Sequence, residues 1–114
     1  MTFNLDDFLI KSQKVHASDI HLNCNQEPIL RINGDIYKIA TSIITAQDIK
    51  EVFQKTLPKE YLNDDISLND IKDIDYIYEI KGISRYRVNF CKDIYGGKLT
   101  FRTIPYKNYV CLIM

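Results

Sequence analysis

The sequence predicts an α+β domain in which an antiparallel sheet of about five to six strands carries helices on it. Three observations point there. Residues 19–23, 29–39 and 85–104 alternate apolar and polar side chains with the period of two that a half-buried strand requires. Two other stretches place apolar residues at helical spacing directly behind an N-cap residue. The chain has 114 residues, a length that folds around one core.

Taken in order, Asn4 caps a helix whose stripe is Leu5, Phe8, Leu9 and Val15. Asp19-Ile20-His21-Leu22-Asn23 follows as a strand with Ile20 and Leu22 turned to the core. After Pro28, Ile29–Ile32 and Asp35–Ile39 form a hairpin. Asn33-Gly34 closes it, because both turn residues accept a positive φ. Thr45 opens a second helix with Asp48 three residues on, Ile49, Val52 and Phe53 on its apolar face, and a stop near Pro58. A short helical turn spans Lys59–Leu62, and the acidic stretch from Asn63 to Asp73 reads as loop with partial helix. Tyr76, Tyr78 and Ile80 mark a further strand that turns at Gly82.

The last hairpin carries the most information. A loop over Lys92–Gly97 pairs Cys91 with Lys98, which sets Phe90 opposite Leu99, Val88 opposite Phe101 and Arg87 opposite Arg102. Arg85, Arg87 and Arg102 then point outward on one face. Opposed like charges cost a few tenths to about 1 kcal/mol, whereas a charge-assisted hydrogen bond to an anion returns about 1.5–3 kcal/mol. The pairing makes sense if an anion visits. The competing reading is that these arginines are solvated or paired with some of the chain's 15 acidic residues.

Composition narrows the function classes. The 15 basic and 15 acidic residues cancel, which argues against broad electrostatic capture of nucleic acid or anionic lipid. No apolar run is long enough for a bilayer, and the N-terminus has no signal-peptide core, so the expected location is the cytoplasm. Cys24, Cys91 and Cys111 are odd in number and widely spaced, as reduced thiols are.

Several candidate chemistries fail on spacing. His16, His21 and Cys24 match no zinc-finger pattern and lack a fourth ligand. Ser18, Asp19 and His21 are neighbours in sequence, which does not make a hydrolase triad. Asp19 and His21 share a strand face and read as an interface or structural pair. Cys91, placed among arginines, reads as a passive strand cysteine. Lys81-Gly82 opens an RNP1-like strand, but Ile83 and Arg85 stand where stacking rings are needed. No convergent polar groups mark a ligand pocket in the core.

Ala17-Ser18-Asp19-Ile20-His21-Leu22, Arg31-Ile32-Asn33-Gly34-Asp35, Arg85-Tyr86-Arg87-Val88-Asn89 and Phe101-Arg102-Thr103-Ile104-Pro105 occur in one order. Together they resemble the N-terminal domain of the type IV pilus retraction ATPases, the PilT-like branch of the type II/IV secretion ATPase superfamily. The likeness runs from about residue 4 to residue 106. The first element is shared with pilus assembly and type II secretion ATPases, which form the alternative assignment together with a free-standing PAS-like ligand-binding module. The second and fourth resemble the retraction branch more closely. Residues 58–72 depart from the glutamate-rich helix usual there.

The resemblance implies a PAS-like domain over residues 1–106 and, in 107–114, the start of a truncated linker toward an absent RecA-like ATPase domain. It implies a cytoplasmic motor for twitching motility, held at the inner membrane by a pilus platform protein. It further implies a homohexamer in which Arg87 and Arg102, with Arg85 in support, reach the ATP and magnesium of a neighbouring subunit. Within these residues Gly97-Lys98 is the one GK pair. Lys92 stands where a phosphate-binding loop needs its first glycine, and Leu99 where it needs Ser or Thr. The chain alone is therefore expected to have no enzymatic activity, cofactor, metal or nucleic-acid partner.

Overall fold

The computed structural model describes residues 3–39, 43–62, 71–94 and 96–104. The readings of residues 63–70 and of the linker over 107–114, Cys111 included, lie outside these.

Helix α1 spans Leu5–Lys14, with the Asn4 side chain accepting from the Asp7 amide. It ends in a left-handed cap. The His16 amide donates to Gln13 O at 2.9 Å, the Ala17 amide donates to Ser12 O at 3.1 Å, and His16 has φ 60°. Val15, expected in the apolar stripe, is the C-cap and is exposed, because the helix closes one residue before it. Strands β1 (Asp19–Asn23), β2 (Ile29–Ile32) and β3 (Asp35–Lys38) follow. Asn33 and Gly34 both take positive φ, 51° and 85°, as a two-residue hairpin turn demands.

Helix α2, Ala46–Thr56, begins in a full capping box. Asp48 N donates to Thr45 Oγ1 at 3.1 Å, and Thr45 N donates to Asp48 Oδ2 at 2.9 Å. A 3-10 turn spans Lys59–Leu62. Strand β4 covers Asp73–Ile80, starting at the residue where loop and partial helix were expected to end, and β5 (Ser84–Cys91) and β6 (Lys98–Ile104) complete the sheet. Its order is β3-β2-β1-β6-β5-β4, with antiparallel neighbours throughout. The fold is α+β, with six strands as expected.

Both helices cover one face. Leu5 and Leu9 of α1 and Ile49, Val52 and Phe53 of α2 are buried with Ile20, Leu22, Val88, Phe90, Leu99 and Phe101 of the sheet. Phe53 stacks on Phe90 with ring centroids 4.0 Å apart. The hydroxyls of the aromatic residues are tied at the helix side. The Tyr78 hydroxyl donates to Asp6 Oδ1 at 2.6 Å, and the buried Tyr76 hydroxyl lies 2.6 Å from Thr56 Oγ1. Among the described residues no helix is long and apolar enough to cross a membrane.

Candidate functional site

The alternation that buries one side chain sends the next to the opposite face of the sheet, which no described helix covers. On β5 the buried Tyr86, Val88 and Phe90 alternate with Arg85, Arg87 and Asn89, and on β6 the buried Leu99 and Phe101 alternate with Thr100 and Arg102. Arg87 is directly opposite Arg102 and Val88 opposite Phe101, the register expected from the loop length.

That loop is set by local contacts. The Gly97 amide donates to Asp93 Oδ1 at 3.0 Å, and Gly97 has φ 117°. A Cβ there would come within 3.1 Å of the Phe90 ring, so the Gly-Lys pair is the end of a hairpin packed on the core.

Pairing between β1 and β6 brings a second group to the face. Asp19 stands between Arg31 of β2 and Arg102 of β6. Its carboxylate is shared: Arg102 Nε donates to Oδ1 at 3.1 Å, and Arg31 Nε lies 3.4 Å from Oδ2. The two guanidinium groups leave the Asp19 side chain only 13% exposed, while Arg31 and Arg102 keep 42% and 68%. One row across the sheet therefore reads Arg31, Asp19, Arg102, Arg87, with exposed Ile36 and Ile77 at its two ends. Among the described residues Arg87 has no carboxylate partner, so the row holds three cations and one anion, which Arg31 and Arg102 share.

His21 lies in the next row of the same face, between Ile29 and Thr100. Burial holds its imidazole below the ordinary value. Arg31, Lys98 and Arg102 push the same way, against the opposing pull of Asp19. Arg85 lies one row toward the Gly82 turn, opposite Ile104 and Glu79.

The structure thus brings Arg87, Arg102, Asp19 and His21 onto one face and sets Arg85 beside them. The direct neighbours of Cys91 are Asp73 and Lys98 rather than arginines. His21 and Cys24 are separated, the first on the open face and the second buried. The sheet's buried rings, Tyr76, Tyr86, Phe90 and Phe101, face the helices, so the described residues place no aromatic platform for bases on the arginine face. Sequence reasoning missed Arg31. The signal was present, since Asp19 and Arg31 both occupy polar positions of alternating strands joined by a short connection. Chemically, an exposed row of three arginines and one shielded carboxylate suits a multiply charged, oxygen-rich anion.

No protein-family model matches the chain. It is 27% identical over 104 residues to the type IV pilus retraction ATPase PilT of Pseudomonas aeruginosa, covering 91% of this chain and 29% of that protein. The solved structure of the pilus retraction motor PilT with bound ADP superposes with a TM-score of 0.77, at 19% identity, over 92% of this chain and 30% of that one. The ATPase DotB of Legionella pneumophila gives 0.75 at 26% identity, again over 92% of this chain and 30% of that one. The chain thus spans under a third of the length of each of these relatives. By sequence and fold together, the chain is homologous to the N-terminal domains of the PilT and DotB ATPases.

Proposed function

We propose that this domain is the regulatory and oligomer-forming N-terminal part of a type IV pilus retraction ATPase. In this reading Arg87 and Arg102, with Arg85 in support, stabilise the phosphate charge of a nucleotide bound by a neighbouring subunit. The observation that carries it is the direct opposition of Arg87 and Arg102 on an exposed face where, among the described residues, Arg87 lacks a carboxylate. Two adjacent antiparallel strands hold the pair at fixed spacing, and planar guanidinium groups clamp phosphate oxygens bidentately. Their help is greatest when charge redistributes during phosphoryl transfer. Delivery from a second subunit makes hydrolysis depend on how this domain is rotated against its neighbour, which links turnover to motion.

The partners in this reading are the RecA-like ATPase domain of the next subunit in a homohexamer, its ATP and magnesium, and a pilus platform protein at the cytoplasmic side of the inner membrane. The likeness to DotB favours a second reading, the same role in a secretion ATPase rather than a pilus motor. The arginine chemistry is common to both.

The test is a chimera in which residues 1–106 replace the matching domain of Pseudomonas aeruginosa PilT. It should hydrolyse ATP, and Arg87→Ala or Arg102→Ala should lower kcat by at least about tenfold, equivalent to about 1.4 kcal/mol. Unchanged turnover in both variants would reject the role.

A further inference from the structure

Between α1, the β2–β3 hairpin and the start of α2 runs a groove of about 620 Å³, on the side of the sheet opposite the arginines. Its walls are apolar: Phe8 and Val15 from α1 and its cap, Ile32 and Tyr37 from the hairpin, and Ile39 and Ile43 beyond it. Among the described residues Val15, Tyr37 and Ile43 remain 48%, 47% and 52% exposed, which gathers apolar surface in one place as a binding groove does. Most polar groups at the rim are already engaged. Lys11 pairs with Asp7 at 3.1 Å, Ser12 Oγ donates to Phe8 O at 2.8 Å, and Asp48 Oδ2 accepts from the Thr45 amide at 2.9 Å. The groove therefore suits apolar side chains better than a polar ligand.

The chain supplies a matching segment. Residues 105–114 lie outside the described residues, and Tyr109-Val110-Cys111-Leu112-Ile113-Met114 carries no charged side chain. Its starting point is beside the groove. Strand β6 ends at Ile104, and just before that end the Thr103 amide donates to Ser18 O and the Thr103 hydroxyl to Ala17 O, each at 3.1 Å. Ala17 is two residues from Val15, which stands at one end of the groove, with Phe3 at the other. Extended, residues 105–108 reach about 14 Å and residues 109–114 about 20 Å more, whereas α1, which walls the groove, rises about 15 Å. We infer that residues 109–114 lie in this groove alongside α1, so that the chain's own apolar segment covers the α1 and hairpin surface. The inference is independent of the arginine face and of the function proposed for it.

The test is a methyl nuclear Overhauser NMR experiment on the 114-residue chain, with Ile, Leu, Val and Met methyl groups labelled. Methyl groups of Leu112, Ile113 or Met114 should give cross-peaks to those of Val15, Ile39 or Ile43. A sample mixing labelled and unlabelled chains should show that these contacts form within one chain. Ile43→Asp, a change at a half-exposed groove position, should abolish the cross-peaks while the amide spectrum of the sheet stays unchanged. A second variant keeps the comparison sound if that one fails to fold: Leu112→Asp with Ile113→Asp alters only the segment, and should shift the Val15 and Ile43 methyl signals while leaving those of Val88 and Leu99, buried at the sheet, in place. Cross-peaks that form only between chains would mean that a second copy occupies the groove, and would overturn the inference. So would the absence of any cross-peak from residues 109–114 to the groove, including a groove whose methyl groups contact a copurifying lipid instead. Cross-peaks that survive Ile43→Asp, or groove signals indifferent to the double change in the segment, would overturn it as well. The chimera above carries only residues 1–106, so its turnover judges the proposed function separately.

Discussion

Replacing Asp19 by Asn removes one negative charge from the centre of the open face and keeps the shape of the side chain. The structure fixes the size of the effect. Asp19 is well covered, at 13% exposure, but its partners are 42% and 68% exposed, so both ion pairs are screened by solvent and each contributes about 0.2–1 kcal/mol. The change also leaves Arg31, Arg102 and Arg87 in one row with no counter-charge, adding a few tenths to about 1 kcal/mol of repulsion. The expected loss is about 1–2 kcal/mol, a substantial part of the 5–15 kcal/mol typical of a folded domain. Urea denaturation at neutral pH measures it. Because the pairs are exposed on one side, the loss should shrink at high salt, where the screening length falls to about 3 Å at 1 M. In a double-mutant cycle, Asp19→Asn and Arg102→Gln should couple by about 0.5–1 kcal/mol. An Asp19→Asn variant as stable as the parent at low salt, or a loss indifferent to salt, would refute the shared-carboxylate account.

Three further outcomes test other parts of the fold. Gly34 has φ 85° and open space where a Cβ would go, so Gly34→Ala should cost about 1–2 kcal/mol in chemical denaturation through backbone strain alone. Phe53 is buried and stacked on Phe90, so Phe53→Ala should cost about 3–5 kcal/mol, and Phe53→Leu clearly less. The lowered pKa of folded His21 means that the unfolded chain binds the proton more readily. Stability linked to this group is present above its ordinary value of 6.5 and is lost as pH falls from there through the lowered folded value. Between about pH 7.5 and about pH 5.5, a window that brackets the ordinary histidine value, the parent should therefore lose more stability than His21→Gln, and an equal or smaller loss in the parent would contradict this.

Much of this arrangement was legible because it is set locally. Asn33-Gly34 dictates its own hairpin, Thr45 and Asp48 their own capping box, and Lys92–Gly97 the register that opposes Arg87 to Arg102. What sequence reading missed depends on long-range pairing or on backbone detail. The neighbours β1 and β6 are separated by most of the chain, and no turn between them announces that Asp19 will meet Arg102. Without that contact Asp19 looks like a partner for His21, and Arg31 like an ordinary polar strand position. Val15 has the right helical spacing for the core, but the left-handed His16 ends α1 just before it, a conformation that side-chain pattern does not report. Strand β4 reaches back to Asp73 because Asn89 donates to both Asp73 and Asp75, at 3.0 and 3.1 Å, giving acidic residues a place on the sheet.

The central claim, that these arginines serve a neighbour's nucleotide, is tested most directly by mixing subunits. One chimera carries Arg87→Ala with an intact phosphate-binding loop. The other carries intact arginines with the loop lysine of its ATPase domain replaced. Each alone should be nearly inactive. If Arg87 acts across the subunit boundary, a mixed ring contains junctions where an intact nucleotide site faces an intact arginine, and ATP hydrolysis should reappear on mixing, rising to a maximum near equal proportions. If mixtures never exceed the sum of their separate activities while wild-type rings exchange subunits freely, the arginine does not act in trans and the account is wrong.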